Sequence, residues 1–493
     1  MAESTPLSPH NSTSASQAAA SSTSASGTGL QQGLRVRHLT MMGLGSAIGA
    51  GLFLGTGQGI HAAGPAILIS YVAAGIIVVL TMQMLGELSA ARPASGSFST
   101  YVEMAFGRTG GFVTGWLYWF MLILVLGAEM TGAASIIGQW FHCSPWIPAL
   151  VCMIFFTIVN LAQVRGFGEF EFWFAAIKVT VIVLFLIIGV LLIFGLLPGT
   201  EPVGFTNFLG RGGFMPKGWS GIAAGLLAVA FAFGGIEIVT IAAAECDNPS
   251  LSIAKAVRSV IFRISVFYLG SVLVITFLLP WDQLQGAENA AESPFTAVLQ
   301  QANLPGVVIF MEAIIVLSLL SAFNAQIYAS SRMMFSLAKR GHGPQALTKI
   351  SRTGVPINAL LISVFFGFVS VGLNYLELPG LLVFLLNSVG AILLVVWASI
   401  AISELKLRPE LEKEGSLSVR MWAYPYLTWL ALALMAGLTV LMFTDETTRN
   451  QLFATIVVVI LLTVLGAINH AWRKRHPVEV PSVPSASINK TTS

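Results

Sequence analysis

Stretches of about 18 or more residues with almost no charge recur along this chain, and about 20 helical residues cross a bilayer's roughly 30 Å hydrocarbon core. Two examples are Ile67 to Leu85 (ILISYVAAGIIVVLTMQML) and Val179 to Pro198 (VTVIVLFLIIGVLLIFGLLP). Over the whole chain 55% of residues are hydrophobic and only 10% charged, whereas a soluble domain carries about a quarter charged residues. The solvent of such a chain is lipid, and the fold class expected is an all-α integral membrane protein.

Hydrophobic runs predict twelve spans near residues 38–60, 65–88, 111–138, 146–163, 171–198, 219–244, 258–280, 305–338, 357–376, 380–401, 424–444 and 451–471. The eighth is longer than a bilayer needs and is expected to reach water at Arg332. Residues 1–32 (Ser/Thr/Ala-rich) and 476–493 (Pro/Ser/Val-rich) have no apolar run and read as disordered tails. The domain reading is a ten-helix core over 33–401, in halves 38–198 and 219–401, followed by two further helices over 402–475.

Basic residues accumulate on the cytoplasmic side of membrane proteins. Of the 25 here, only Arg211, Lys217 and Arg449 fall in the alternate loops and only Lys178 falls well inside a span; the other 21 occupy the tails, the remaining loops and the span ends that border them. That split predicts an even number of spans with both termini cytoplasmic, and the membrane expected is the plasma membrane. The net charge of +3 is too small to suggest a nucleic-acid partner. Cys143, Cys152 and Cys246 fit no metal-ligand spacing and read as small apolar residues. No metal or cofactor is expected, and the absence of a GxxxxGK[ST] motif excludes direct ATP drive.

Span 1 reads Gly43-Leu-Gly-Ser-Ala-Ile-Gly-Ala-Gly-Leu-Phe53. Each glycine weakens a helix interior by about 1 kcal/mol relative to alanine, so the cluster marks a place where the helix comes apart. Broken backbone at membrane depth is tolerated where it lines a cavity or binds something. A half-helix restarting there presents unpaired N–H groups suited to a carboxylate. Close packing through the small-xxx-small pairs Gly45/Gly49 and Gly51/Gly55 is the competing reading. Span 6 holds a second interruption, Phe231-Ala-Phe-Gly-Gly-Ile-Glu237. Paired interruptions in two halves point to a midplane binding site. The shift of five spans between them is odd, so the halves are inverted, giving a 5+5 repeat with spans 11 and 12 added.

Ionisable groups inside spans are few: Glu129, Lys178, Glu237 and Glu312. Lys178 can carry a coupling proton or snorkel to the nearby interface. Glu129 can carry that proton or hydrogen-bond across helices. Glu237 either holds the span 6 break or faces the substrate, and Glu312 is read as structural. His61, His142 and His342 lie at span ends or in loops and are assigned no ligand role. The loop Pro93–Tyr101 serves either as a gate or as an ordinary polar turn.

The segments RHLTMMGLGSAIGAGLFLGTG, MLGELSA, PASGSFSTYVEMAFG and FAFGGIEIVTIAAAECDNP resemble the amino-acid transporter group of the amino acid/polyamine/organocation superfamily. The resemblance runs from about Gly33 to Trp472. EFEFW (169–173), GGFMP (212–216) and MWAYPYLTW (421–429) look most like the GABA permease branch, while GSAIGAG and FGGIE are closer to proline and aromatic permeases. The resemblance implies a LeuT-like fold with spans 1 and 6 discontinuous, and proton-driven uptake of an amino acid. By it, the Gly49-Ala50-Gly51 backbone binds the substrate carboxylate, Phe231, Ala232 and Gly234 offer carbonyls to the amine, and Lys178 carries the coupling charge. Ser46, Ala47, Phe233, Gly235 and Glu237 complete the expected substrate site, with Glu129 as a second proton-coupling group. A channel is disfavoured by the lack of a filter loop or charge rings, and an enzyme by the lack of clustered catalytic groups. Exchange of one amino acid for another on the same fold is the alternative to symport, and a non-transporting amino-acid sensor is a less favoured one.

Overall fold

A computed structural model describes residues 41, 48–94, 96–162, 167–243, 259, 261–262, 264–284, 293–352, 354–378, 380–444 and 446–475. Among the described residues there is no named strand, and seven helices are long and apolar enough to cross a membrane. Shorter apolar helices accompany them. Both expected tails, and Ser46 and Ala47 of the expected site, lie outside the described residues.

From Ile48 the chain runs through a π turn, Gly51–Gly55, into α1 (Thr56–Ala63). There follow α2 (Ile67–Ala91), the short α3 (Phe98–Phe106), α4 (Arg108–Trp140), α5 (Trp146–Ala162) and α6 (Phe167–Ile193). The span expected at 219–244 is two pieces, α7 (Gly218–Ala232) and α8 (Ile238–Ala243). A second π turn, Ile264–Leu269, leads into α9 (Gly270–Leu278). The rest comprises α10 (Pro294–Gln300), α11 (Val307–Lys339), α12 (Ile357–Tyr375), α13 (Leu381–Lys413), α14 (Tyr426–Met442) and α15 (Glu446–Arg475).

The packing is inverted relative to a soluble protein. Val183, Ile187 and Val190 form one exposed apolar face of α6, and Val457, Ile460, Val464 and Ile468 form one on α15. These residues recur at helical spacing and mark faces turned to lipid. Charged groups are instead inside: Glu87, Glu129, Glu171, Lys178, Glu237, Glu404 and Arg408 are all buried. Helix α4 is the central post, packed against α3, α11, α13 and α15. Helix α7 packs against α1, α2 and α13.

Two expectations change here. Arg332 does not reach water: it is buried, with its guanidinium 3.9 Å from the Tyr328 ring centre, one helical turn back on α11. Helix α13 continues to Lys413 rather than ending at 401. One face of its extension is packed against the protein, where Arg408 pairs with Glu87 of α2 at 3.0 Å and Glu404 accepts from Thr428 at 3.0 Å. A helix continues past the bilayer when packing against neighbours covers it, which a hydropathy pattern does not report.

Candidate functional site

The π turn that starts at Gly51 passes against the end of α7, next to the span 6 break. A Cβ placed on Gly51 would lie 2.4 Å from Ala232 Cα and 3.1 Å from Phe231 Cδ1, so glycine alone permits this approach. At Gly55, one turn on, the nearest atom to such a Cβ is Ala228 O at 3.7 Å, an ordinary contact. The two glycines of the small-xxx-small pair therefore do different things: Gly51 sits where this segment crosses the end of α7, Gly55 merely on a helix face.

After Ile48 a helical turn begins, and Leu52 and Phe53 N–H both donate to Gly49 O. The first N–H groups of such a segment have no partner within it. Ala50 N–H donates to both oxygens of the Glu129 carboxylate, at 3.1 and 3.0 Å. The backbone expected to seize a substrate carboxylate thus holds a carboxylate of the protein. Glu129 lies against Gly49, whose Cβ would be 2.3 Å from Oε1.

Lys178 is completely buried on α6, not snorkelling, and interacts electrostatically with Glu171 and Glu129. Glu171 stands seven residues before Lys178, two turns away on the same helix face, and Ser321 of α11 donates to its carboxylate at 3.2 and 3.1 Å. Two carboxyls and one amine share this buried space. With all three ionised the set carries a formal charge of −1, and one proton brings it to zero.

The span 6 break occupies Phe233 to Glu237. Gly235 has φ +92°, a left-handed conformation that a side chain would strain. Phe233 and Gly234 N–H turn back to Ala230 O and Phe231 O, so the Phe231 carbonyl is engaged locally at 2.9 Å. The Ala232 carbonyl accepts from the Tyr268 hydroxyl at 2.9 Å. Glu237 is buried; its Oε1 accepts from Trp397 Nε1 of α13 at 2.6 Å, and Tyr118 of α4 lies close enough to interact with it. Tyr71, Phe233 and Tyr268 form an aromatic wall with ring centres 4.9 to 6.3 Å apart.

Gly49, Ala50, Gly51, Phe231, Ala232 and Glu129 are thus brought together, with Lys178 joined to them through Glu129. Gly234 packs towards Leu393 and Val389 of α13 instead. Sequence reasoning missed Glu171, Tyr268 and Trp397. The seven-residue spacing from Lys178 is a signal that marks Glu171; a lone aromatic in an apolar span carries none. Among the described residues no group of three His, Cys, Asp or Glu side chains is placed to hold a metal.

The loop Pro93–Tyr101 reaches the broken segment directly. Ser97 Oγ lies 2.6 Å from Thr240 Oγ1 of α8. Beyond it, on the face read as cytoplasmic, Glu103 of α3 pairs with Arg340 at 2.5 Å and with His342 Nε2 at 2.9 Å. Burial alone would raise the Glu103 carboxyl, but the His342 hydrogen bond and the Arg340 charge hold it below the usual carboxylate range. Burial lowers the His342 imidazole, with Glu103 opposing. His342, expected at a span edge, is wholly enclosed.

An all-helical bundle with apolar outer faces, an interrupted helix and buried charges beside the interruption defines a polytopic membrane transporter. The amino acid permease family model matches residues 38–481, and the chain belongs to that family. It is 66% identical over 439 residues to the aromatic amino acid transport protein AroP of Corynebacterium glutamicum, covering 89% of this chain and 95% of that one. It is 44% identical over 452 residues to the gamma-aminobutyric acid permease of Bacillus subtilis, covering 91% and 94%. Escherichia coli K12 AroP is 36% identical over 439 residues, covering 89% and 94%.

Proposed function

We propose that this protein imports an aromatic or other neutral amino acid, or GABA, together with protons, from a LeuT-like inverted-repeat core in a plasma membrane with both termini cytoplasmic. The observation that carries the reading is the Ala50 N–H, bonded to both oxygens of a carboxylate beside the crossing of Gly51 with the end of α7. An amide so disposed is a carboxylate receptor, and a substrate carboxylate is its natural alternative ligand.

The same carboxylate supports the coupling. Glu129 touches the substrate-binding backbone on one side and interacts with Lys178 on the other. A substrate seated on Ala50 N–H releases Glu129 towards Lys178, so the proton held by the buried trio becomes tied to substrate occupancy. Similarity to AroP favours an aromatic amino acid, for which Phe231, Phe233, Tyr71 and Tyr268 offer an apolar wall; similarity to the GABA permease keeps GABA as the second substrate to test.

Uptake of labelled phenylalanine, proline and GABA into proteoliposomes tests this, with and without a pH gradient. One unit of gradient is worth 1.36 kcal/mol, roughly tenfold accumulation for one proton per substrate. Uptake that ignores the gradient but requires an internal amino acid would replace symport with exchange; uptake of none of the three would overturn the reading.

A further inference from the structure

The Ala232 carbonyl ends α7, where the last C=O groups of a helix have no intrahelical partner. In the family-derived reading this carbonyl receives the substrate amine; in the structure it receives the Tyr268 hydroxyl at 2.9 Å. We propose that Tyr268 is a stand-in for the substrate ammonium: its hydroxyl occupies the amine-binding carbonyl and must leave when an amino acid binds, so that Tyr268 sets affinity for the amine end. The inference rests on the function proposed above, which places the amine there.

Three observations carry it. First, the opposite end of the site is filled in the same way, Glu129 lying on the carboxylate-binding Ala50 N–H. A donor on the carbonyl and a carboxylate on the amide reproduce the two ends of a zwitterion with the protein's own side chains. Second, the carbonyl lies in a tightly enclosed place. Ala232 and Tyr268 are almost wholly buried, and Gly51 closes the near side so tightly that an added Cβ would collide with Ala232 Cα. Third, Tyr268 stands on the π turn Ile264–Leu269 rather than on regular α-helix. π turns are rare and concentrate at functional positions. When the hydroxyl withdraws, the ring stays part of the wall with Phe233 and Tyr71, whose faces also suit an ammonium.

A merely structural Tyr268, satisfying a buried carbonyl, makes a different prediction. Deleting the hydroxyl would then disturb every ligand alike. If the hydroxyl competes with the amine, Tyr268→Phe raises the free energy of the empty site alone. Ligands that supply an ammonium bind tighter, and ligands that lack one do not.

The experiment measures binding to the purified full-length protein in lipid nanodiscs, with wild type, Tyr268→Phe and Tyr268→Met. The probes are L-phenylalanine and GABA, and their amine-free analogues 3-phenylpropionate and butyrate as competitors. A net hydrogen bond corresponds to roughly a three- to tenfold change in affinity. The amino-acid probe that wild type binds should tighten by that factor in Tyr268→Phe, with its amine-free analogue unchanged. Tyr268→Met, which removes the hydroxyl with a different side chain, should move the two ligands in the same directions. Equal shifts for both members of a pair, or weaker binding of the amino acid, would overturn the proposal. Failure of wild type to bind either amino acid would overturn the site reading itself, and the inference with it.

Discussion

The Gly51/Ala232 crossing makes a sharp demand on one hydrogen atom's worth of space. In Gly51→Ala the new Cβ would meet Ala232 Cα at 2.4 Å and Ala232 N at 3.0 Å, whereas carbon atoms rest about 3.5–4.0 Å apart. Neither obstacle is the end of a flexible side chain, so the two segments must separate by roughly 1 Å. Overpacking of this kind costs about 1–3 kcal/mol, a loss of roughly five- to 150-fold in any equilibrium that needs the native crossing. The same movement carries Ala50 N–H away from its 3.0 Å partner. Gly55→Ala is the internal control: it adds the same methyl one turn on, where the nearest atom is 3.7 Å away, and should transport near the wild-type rate. Initial uptake rates in proteoliposomes, normalised to protein recovered as a monodisperse species, measure both. Equal transport by Gly51→Ala and wild type would refute the crossing as described. Equal damage from Gly55→Ala would show that the pair serves helix packing after all.

Other expectations concern the charges. Lys178→Ala should abolish accumulation driven by a pH gradient while leaving counterflow partly intact; unchanged accumulation would assign coupling elsewhere. Glu129→Gln keeps an oxygen for Ala50 N–H but removes the charge, and should flatten the pH dependence of uptake, whereas a wild-type pH profile would detach Glu129 from the proton. For the Glu103–Arg340–His342 cluster, with Arg108 and Arg473 also beside it, both titrating groups lie below their ordinary values. The unfolded chain therefore binds these protons more readily, so the contribution to stability is present at neutral pH and lost on acidification. The loss begins at His342 below its ordinary 6.5 and continues at Glu103 below its ordinary 4.5. Melting temperatures from pH 7.5 to 5 should fall less in His342→Gln than in wild type; parallel curves would count against it.

What the sequence revealed follows from rarity. Lys178 and Glu129 stand out because charge inside an apolar run is expensive, and the Gly234-Gly235 pair marks its turn because nothing else explains it there. Tyr268 and Trp397 were invisible for the opposite reason, since aromatic residues are ordinary in such helices and only tertiary structure says whose carbonyl or carboxylate they meet. Glu171 was hidden at a predicted span edge, where an acid attracts no notice. Arg332 was misplaced because hydropathy counts its charge but not the Tyr328 ring that shelters it.

The link between the Pro93–Tyr101 loop and the broken segment has a further consequence. Thr240 spends its proton on the Glu237 carbonyl at 2.7 Å, so Ser97 must donate to Thr240, giving a directed string of two hydroxyls ending on the turn that contains Glu237. Such a string has no net charge. Ionic strength acts on exposed charges, and the membrane potential does work, about 2.3 kcal/mol per charge per 100 mV, only on charge that is displaced. Parting Ser97 from Thr240 displaces none, so this fastening between loop and α8 is indifferent to voltage and to salt, and yields only to forces delivered through the helices it joins.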